Sequence, residues 1–292
     1  MLFLQEGRSM SNYKIKWNQF SKIKTIDELT GYMHREYNHS NFFHYTKLCV
    51  IDSILEKNQI WASCVNGVND LKDKIQFGDK VTQREYYTLC FSTGVHENLP
   101  LWYLYSGKDG KGGRIRFTSK MVKKLIEEST YLLYESDGKA LVGEPITLLP
   151  NKTFTYSFKD VLYCHQEQSN IALKYNTMTN YHISNSEWDK LQTHFRCFVK
   201  GLIWYYEKES RLVIHLEEEA KEIIKMNPKK DYKVVITFDD KIKKNISIHF
   251  APNIVDYKDE KIKKFKHIYN HIFNTSRVKL SMYNGEIDMK LD

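Results

Sequence analysis

The sequence predicts a single α+β domain built on a largely antiparallel sheet. Segments of two-residue alternation and segments of helical spacing intermix, without the strict strand–helix alternation of a doubly wound parallel sheet. With 41% hydrophobic and 14% aromatic residues in a chain of 292, there is material for a sizeable core, and a disordered chain is excluded. Only five prolines and no Gly/Ser-rich linker occur, so nothing marks a boundary between independent domains.

Residues 1–40 read as a polar arm with one short helix, Thr25 to Glu36, in which Thr25 is placed to cap and Asp27 and Glu28 suit the positive end of the helix dipole. The α+β domain spans 41–292. Phe43-His-Tyr-Thr46 reads as the end of a strand, and Leu48, Ile51, Ile54 and Leu55 recur at helical spacing over Lys47 to Lys57. Gln59 to Ser63 follows as a short strand ending in the turn Asn66 to Asp70, which completes a strand–helix–strand unit. Tyr87 to Ser92 reads as a buried strand, and Asn98 to Tyr105 as a short helix with Pro100 in its first turn. After the turn Gly107 to Gly113, Arg114 to Phe117 alternates polar and apolar. Ser119 is placed to cap a helix running to about Tyr134, with Met121, Val122, Leu125 and Ile126 inward. Asp160 to Cys164 is a further strand, and Ser186 to about Trp204 a longer helix. The tail supplies strands at Tyr232 to Phe238, Ile246 to Ala251 and Arg277 to Met282, with an amphipathic helix at Asp259 to Phe273.

The net charge of +8 balances 44 basic against 36 acidic residues, with lysine clusters such as Lys241 to Lys244 and Lys261 to Lys264. A basic surface speeds encounters with phosphate-rich partners, but no zinc-finger spacing, RNA-recognition motif or basic zipper accompanies it, so the lysine faces read as solvated. No stretch approaches the roughly twenty apolar residues that span a bilayer, and Met1 to Met10 lacks the apolar core of a signal peptide; a cytoplasmic protein without a membrane partner is expected. Five scattered cysteines, mostly in apolar runs, fit reduced core thiols rather than a disulfide framework.

The segment with most chemistry is Trp204-Tyr-Tyr-Glu207-Lys-Glu209-Ser-Arg211-Leu-Val-Ile-His215. If it is extended, Glu207, Glu209 and Arg211 share one face while Leu212 and Ile214 face the other. Two carboxylates beside a guanidinium then mark either a site at the sheet's edge or a surface salt-bridge ladder in which Arg211 simply neutralises Glu209.

Taken in order, Phe43-His-Tyr-Thr46, Asn69-Asp70, Cys90-Phe-Ser92, Trp102 with Tyr105 and Gly107, Asp160 to Tyr163, and Trp204 with Tyr206-Glu207-Lys-Glu209-Ser-Arg211 resemble the domain of unknown function 2971 family of small bacterial proteins. The resemblance runs from about Phe42 to Met282. It departs at Leu71 and Lys72, where such proteins carry Pro and an acid, and at Ser210, where Trp is common. More distantly the order of parts is similar to that of ADP-ribosyltransferases. That resemblance implies split, largely antiparallel sheets flanked by helices, NAD as substrate with no metal, and a toxin or phage-defence setting with an antitoxin or defence partner. Position by position it puts His44, Tyr45 and Thr46 in the first motif, Ser92 or Tyr105 in the second, and Glu207 and Glu209 in the third. On that pattern Glu209 stabilises the oxocarbenium-like ribose, Glu207 deprotonates a protein, nucleic-acid or water acceptor, and Tyr105 or Trp102 stacks on nicotinamide. His44 donates a hydrogen bond to a ribose or phosphate, with Thr46 assisting, and Arg211 completes the binding set.

Each residue also has a structural reading. His44 suits a half-buried ring, Trp102 and Tyr105 suit core packing, Ser92 suits a strand end and Asn69-Asp70 suits a turn. Two other functional classes stay open. Asp70, Asp73, Glu207 and Glu209 would suit a magnesium-dependent nuclease or phosphodiesterase, and the lysine faces would suit a non-catalytic module binding nucleic acid or protein.

Overall fold

The structure, a computed structural model, describes residues 39–67, 80, 82–94, 96–107, 111–137, 140–164, 197–254, 260–269 and 278–283. The expected helix Thr25 to Glu36, the Asn69-Asp70 turn with Asp73, and most of the helix expected from Ser186 lie outside these residues.

The architecture is α+β, with a mostly antiparallel sheet of eleven strands and a separate parallel pair of strands among the described residues. β1 (Asn41–Lys47), α1 (Leu48–Lys57) and β2 (Gln59–Cys64) form the expected strand–helix–strand unit, and β3 (Tyr86–Ser92) follows. α2 (Leu99–Tyr105), β4 (Gly112–Thr118) and α3 (Ser119–Glu127) come next. The middle of the chain supplies β5 (Thr130–Ser136), β6 (Leu141–Leu148), β7 (Phe154–Asp160), β8 (Leu162–Cys164) and β9 (Val199–Gly201). A 3-10 helix (Leu202–Glu207) leads into β10 (Glu209–Leu216) and α4 (Glu218–Met226). β11 (Asp231–Thr237), α5 (Asp240–Lys243), β12 (Ser247–Phe250), α6 (Glu260–Tyr269) and β13 (Val278–Lys279) close the described chain.

The sheet forks at β3. One edge of β3 pairs along its whole length with β10, and β10 pairs on its far side with β7. The other edge is shared: β1 touches it only at Phe43↔Ser92, and β2 only at Ser63↔Thr88 and Cys64↔Tyr87. β1 therefore leaves β3 after Phe43 and β2 joins it only at Ser63, so Leu89, Cys90 and Phe91 face a notch rather than a strand. One wing continues from β1 through β4 and β12 to β13, the other from β2 through β11 and β5 to β6. The connector between the wings is α1, whose Ile51, Ile54 and Leu55 are buried.

The core lies on the face carrying Tyr87, Leu89, Phe91, Leu212 and Ile214, where α1, α3, α4 and α6 pack. α2 covers the opposite face of the β1 wing, burying Leu101 and Trp102 against Phe43 and Tyr45. Its start is fixed by Asn98, whose side chain accepts from the Leu101 amide at 3.2 Å and donates to the Tyr206 carbonyl, so α2 is tied to the 3-10 helix. Gly112 lets β4 approach closely, since a Cβ there would stand 2.6 Å from the Thr46 carbonyl and from the Ser106 Cα.

Several expectations are corrected. The helix predicted to reach Tyr134 ends at Glu127, because the apolar helical face stops at Ile126 and the following Thr-Tyr-Leu-Leu-Tyr is β-prone and pairs throughout with β11. Its cap is Thr118, whose hydroxyl accepts from the Met121 amide at 3.3 Å, not Ser119. The helix expected to run to Trp204 is replaced over its last residues by β9 and the 3-10 helix. β5, β6, most of β7 and α4 had no counterpart in the sequence reading.

Candidate active site

The notch of the fork opens into a cavity of about 850 Å³, lined by His44, Thr46, Ser92, Tyr105, Trp204, Glu207, Glu209 and Arg211 among others. The carboxylates reach it through a bend. Lys208, between the 3-10 helix and β10, adopts a left-handed conformation (φ 44°, ψ 55°) that L-residues enter reluctantly. Glu207 and Glu209, on either side of that bend, both meet Lys200 of β9: its Nζ donates to Glu207 Oε2 at 2.6 Å and to Glu209 Oε2 at 3.4 Å. Arg211, two residues along the same strand face, grips Glu209 with Nε to Oε1 at 2.7 Å and Nη2 to Oε2 at 3.1 Å, and its Nη1 donates to the Cys197 carbonyl at 2.9 Å. The Glu209 amide donates to the Tyr163 hydroxyl at 2.9 Å. The shared-face expectation therefore holds for Glu209 and Arg211, whereas Glu207 precedes the strand and arrives by the bend.

The expected pairing of Arg211 with Glu209 is present, but not at the surface: Glu207, Glu209 and Arg211 are 5%, 4% and 2% exposed. Inside this low-dielectric setting the two carboxylates part company. Burial raises the Glu207 pKa, and although Lys200 pulls it back, the Glu209 charge adds to the rise and the group titrates near 7. Burial would raise Glu209 too, but Arg211 and Lys200 outweigh it and hold that carboxyl well below the ordinary range. Glu209 is thus ionised at any ordinary pH, while Glu207 exchanges a proton near neutrality. The Cys90 thiol, hydrogen-bonded to Glu209, is pushed well up by desolvation and then by that charge, so it remains a thiol.

On the other side of the notch, His44 Nδ1 lies 3.1 Å from the Cys90 carbonyl. Desolvation lowers its pKa and keeps the ring neutral. A carbonyl only accepts, so Nδ1 carries the proton and Nε2 is left as an acceptor. This corrects the expectation that His44 donates to ligand: in this tautomer it accepts, as from a ribose hydroxyl, and does not suit a phosphate. Ser92 stands opposite Glu209 in register. Tyr105 is 41% exposed at the rim, and its phenol stays neutral because desolvation and the Glu207 charge raise its pKa.

Two expected ligand contacts are not supplied. Trp102 is fully buried, with Nε1 donating to Glu97 at 3.1 Å and its ring 4.7 Å from that of Tyr45, so it packs the core and does not line the cavity. Tyr45 borders the cavity, but its hydroxyl is taken by Arg114 Nη1 at 3.1 Å and the Asn98 amide at 3.2 Å. Two residues were missed. Lys200 is the cation joining the carboxylates, and its Nζ sits 4.9 Å from the centroid of Trp204, a second aromatic of the cavity wall. The only local signal for Lys200 is a single lysine in the apolar run Phe198-Val-Lys-Gly-Leu202.

A second ionic cluster lies under α2. Glu97 accepts from Trp102, from the Ser281 hydroxyl and from the Met282 amide, with Arg114 Nη2 3.8 Å away. Arg114 Nη2 also donates to His249 Nδ1 at 3.0 Å, and burial followed by the Arg114 charge lowers the His249 pKa to about 3. None of these three charged or ionisable groups, and neither Ser281 nor Met282, lines the cavity.

Residues 101–212 match the sequence model of the family described as a protein of unknown function, DUF2971. The resemblance to that family therefore holds over the stretch from α2 into β10, which carries Tyr105, Lys200, Glu207, Glu209 and Arg211, and is narrower than the span expected from the motifs. No curated protein and no solved structure matches the chain. Among the described residues, no helix is long and apolar enough to cross a membrane, and no group of three or more His, Cys, Asp or Glu residues is arranged to hold a metal ion.

Proposed function

We propose that the cleft binds NAD and that the protein breaks the bond between nicotinamide and ribose, passing ADP-ribose to water or to a protein or nucleic-acid acceptor. The observation that supports this reading is the carboxylate pair on the cavity wall held in different charge states, one fixed and one able to move a proton near neutral pH. In the reaction the C1′–N bond breaks and nicotinamide leaves with the electron pair. The acceptor oxygen forms the new bond to C1′ and gives its proton to the ionised Glu207. Glu209 supplies fixed negative charge beside the oxocarbenium-like ribose. Arg211 and Lys200 offset part of that charge, which makes Glu207 the residue on which the chemistry most depends. Tyr105 and Trp204 offer ring faces to nicotinamide, and His44 Nε2 accepts from a ribose hydroxyl. A toxin or phage-defence setting, with a restraining partner, is proposed on the resemblances alone.

The test is release of nicotinamide from NAD by the purified chain without added metal. Glu207→Gln should lower the rate by roughly 10²- to 10⁴-fold, the range of a lost acid–base group, with the fold retained. No release by the parent protein, or a rate unchanged in both Glu207→Gln and Glu209→Gln, would remove the reading.

A further inference from the structure

The cavity does not end at the carboxylates. It continues across the outer face of the β2 wing, where Trp61 and Ser63 of β2 and Asp231 and Lys233 of β11 line it. Lys233 is directly beside Ser63 in register, Trp61 is two residues before Ser63, and Asp231 is two before Lys233, so all four side chains share one face. Trp61 and Lys233 are half-buried, and Ser63 and Asp231 are exposed.

Charge separates this end from the other. Lys200 and Arg211 are matched by Glu207 and Glu209. Lys233, a half-buried residue of the cavity wall, forms no ion pair among the described residues, so its ammonium is available to a ligand. Next to it stand a ring face, a hydroxyl and a carboxylate. An anion, a planar ring and sugar hydroxyls are the complement of that set, and together they make a nucleotide. β11 is three strand positions from β10 in the order β10, β3, β2, β11. At the usual spacing of about 4.8 Å per strand, the backbones of Lys233 and Arg211 stand about 14 Å apart across the sheet. A ligand reaching both ends is longer than one nucleoside.

We propose that Trp61, Ser63, Asp231 and Lys233 form a nucleotide subsite. The base stacks on Trp61, the ribose hydroxyls donate to Asp231, and the phosphate takes the ammonium of Lys233 and the hydroxyl of Ser63. As the seat of the adenylate half of NAD it rests on the reading above; as a nucleotide site it does not.

Calorimetric titration of AMP into the full chain tests it. Binding is expected, weakened about tenfold or more by Trp61→Ala, the usual loss of one base–aromatic stack. Lys233→Glu should weaken it comparably and flatten its salt dependence. Adenosine and inorganic phosphate should each bind more weakly than AMP. Where Trp61→Ala disturbs the fold, Trp61→Tyr, which keeps the stack, and Lys233→Gln decide. Failure of AMP to bind, or binding indifferent to both positions, overturns the subsite. Competition separates the sources of the nucleotide: displacement by ADP-ribose points to the dinucleotide, and stronger displacement by a 5′-phosphorylated oligoribonucleotide points to a nucleic-acid strand. AMP binding through these residues without nicotinamide release would keep the subsite and sink the NAD reading. NAD turnover with a KM indifferent to both positions would do the reverse.

Discussion

Two buried ionic clusters sit on the same side of the sheet, and only one of them looks like chemistry. Around Glu97, a single carboxylate is saturated by Trp102, Ser281 and the Met282 amide, with Arg114 nearby, and the result clamps α2 to the segment at 281–283. Around Lys200, two carboxylates share a lysine, one takes a bidentate arginine as well, and the other is left poised near pH 7 on a cavity wall. Burial alone therefore does not mark a site. An uneven division of counter-charge, next to open volume, does.

The sharpest way to break the comparison is to remove a carboxylate from each cluster. Glu207→Gln should cost orders of magnitude in nicotinamide release, whereas Glu97→Gln should leave the release per folded molecule unchanged. Stability should answer in the opposite sense. Glu97→Ala strands Arg114 and the donors of Trp102 and Ser281, and should lower the unfolding free energy by about 3–5 kcal/mol, read by denaturant melts.

A smaller effect concerns the bend. Lys208→Ile places a β-branched residue at positive φ and should cost about 1–2 kcal/mol while displacing Glu207 from Lys200; Lys208→Gly should be nearly neutral. Equal stability of the two variants would show that the left-handed turn is not what sets the carboxylate pair.

The pH dependence of stability is the subtlest. Folding raises the Glu207 pKa from its ordinary 4.5 to about 7, so the proton is held more tightly in the folded state. That contribution is full below about pH 4.5 and is lost as pH rises through 7. Glu209 has the opposite sign: its contribution is present above its ordinary pKa and fades only in strong acid. Melts from pH 5 to 8 should therefore show a decline that Glu207→Gln removes.

Much of this framework was legible in the sequence, for reasons that also explain the gaps. α1, α2 and β2 carry clean periodicity because each buries one face, whereas β1, β3 and β4 bury side chains on both faces and were legible as short strand-prone runs bounded by turn signals. β6 gave no signal: Leu-Val-Gly-Glu-Pro-Ile-Thr-Leu is an edge strand with mostly exposed side chains, so no apolar alternation was required. β10 is buried on both faces, which made its charged half read equally well as a surface ladder. Glu207, Glu209 and Arg211 were visible as a local pattern. Lys200 was not, because its role arises only when β9 comes beside the bend at Lys208. The proton on His44 was likewise set by a carbonyl 46 residues away.

The most direct test of the central physical claim is a ¹³C NMR titration of the glutamate side-chain carboxyls, with Glu207 assigned by its absence in Glu207→Gln. A Glu207 midpoint near 7, beside a Glu209 signal that stays ionised down to acid pH, is the predicted result. Glu207 titrating with the surface glutamates near 4.5 would contradict the account.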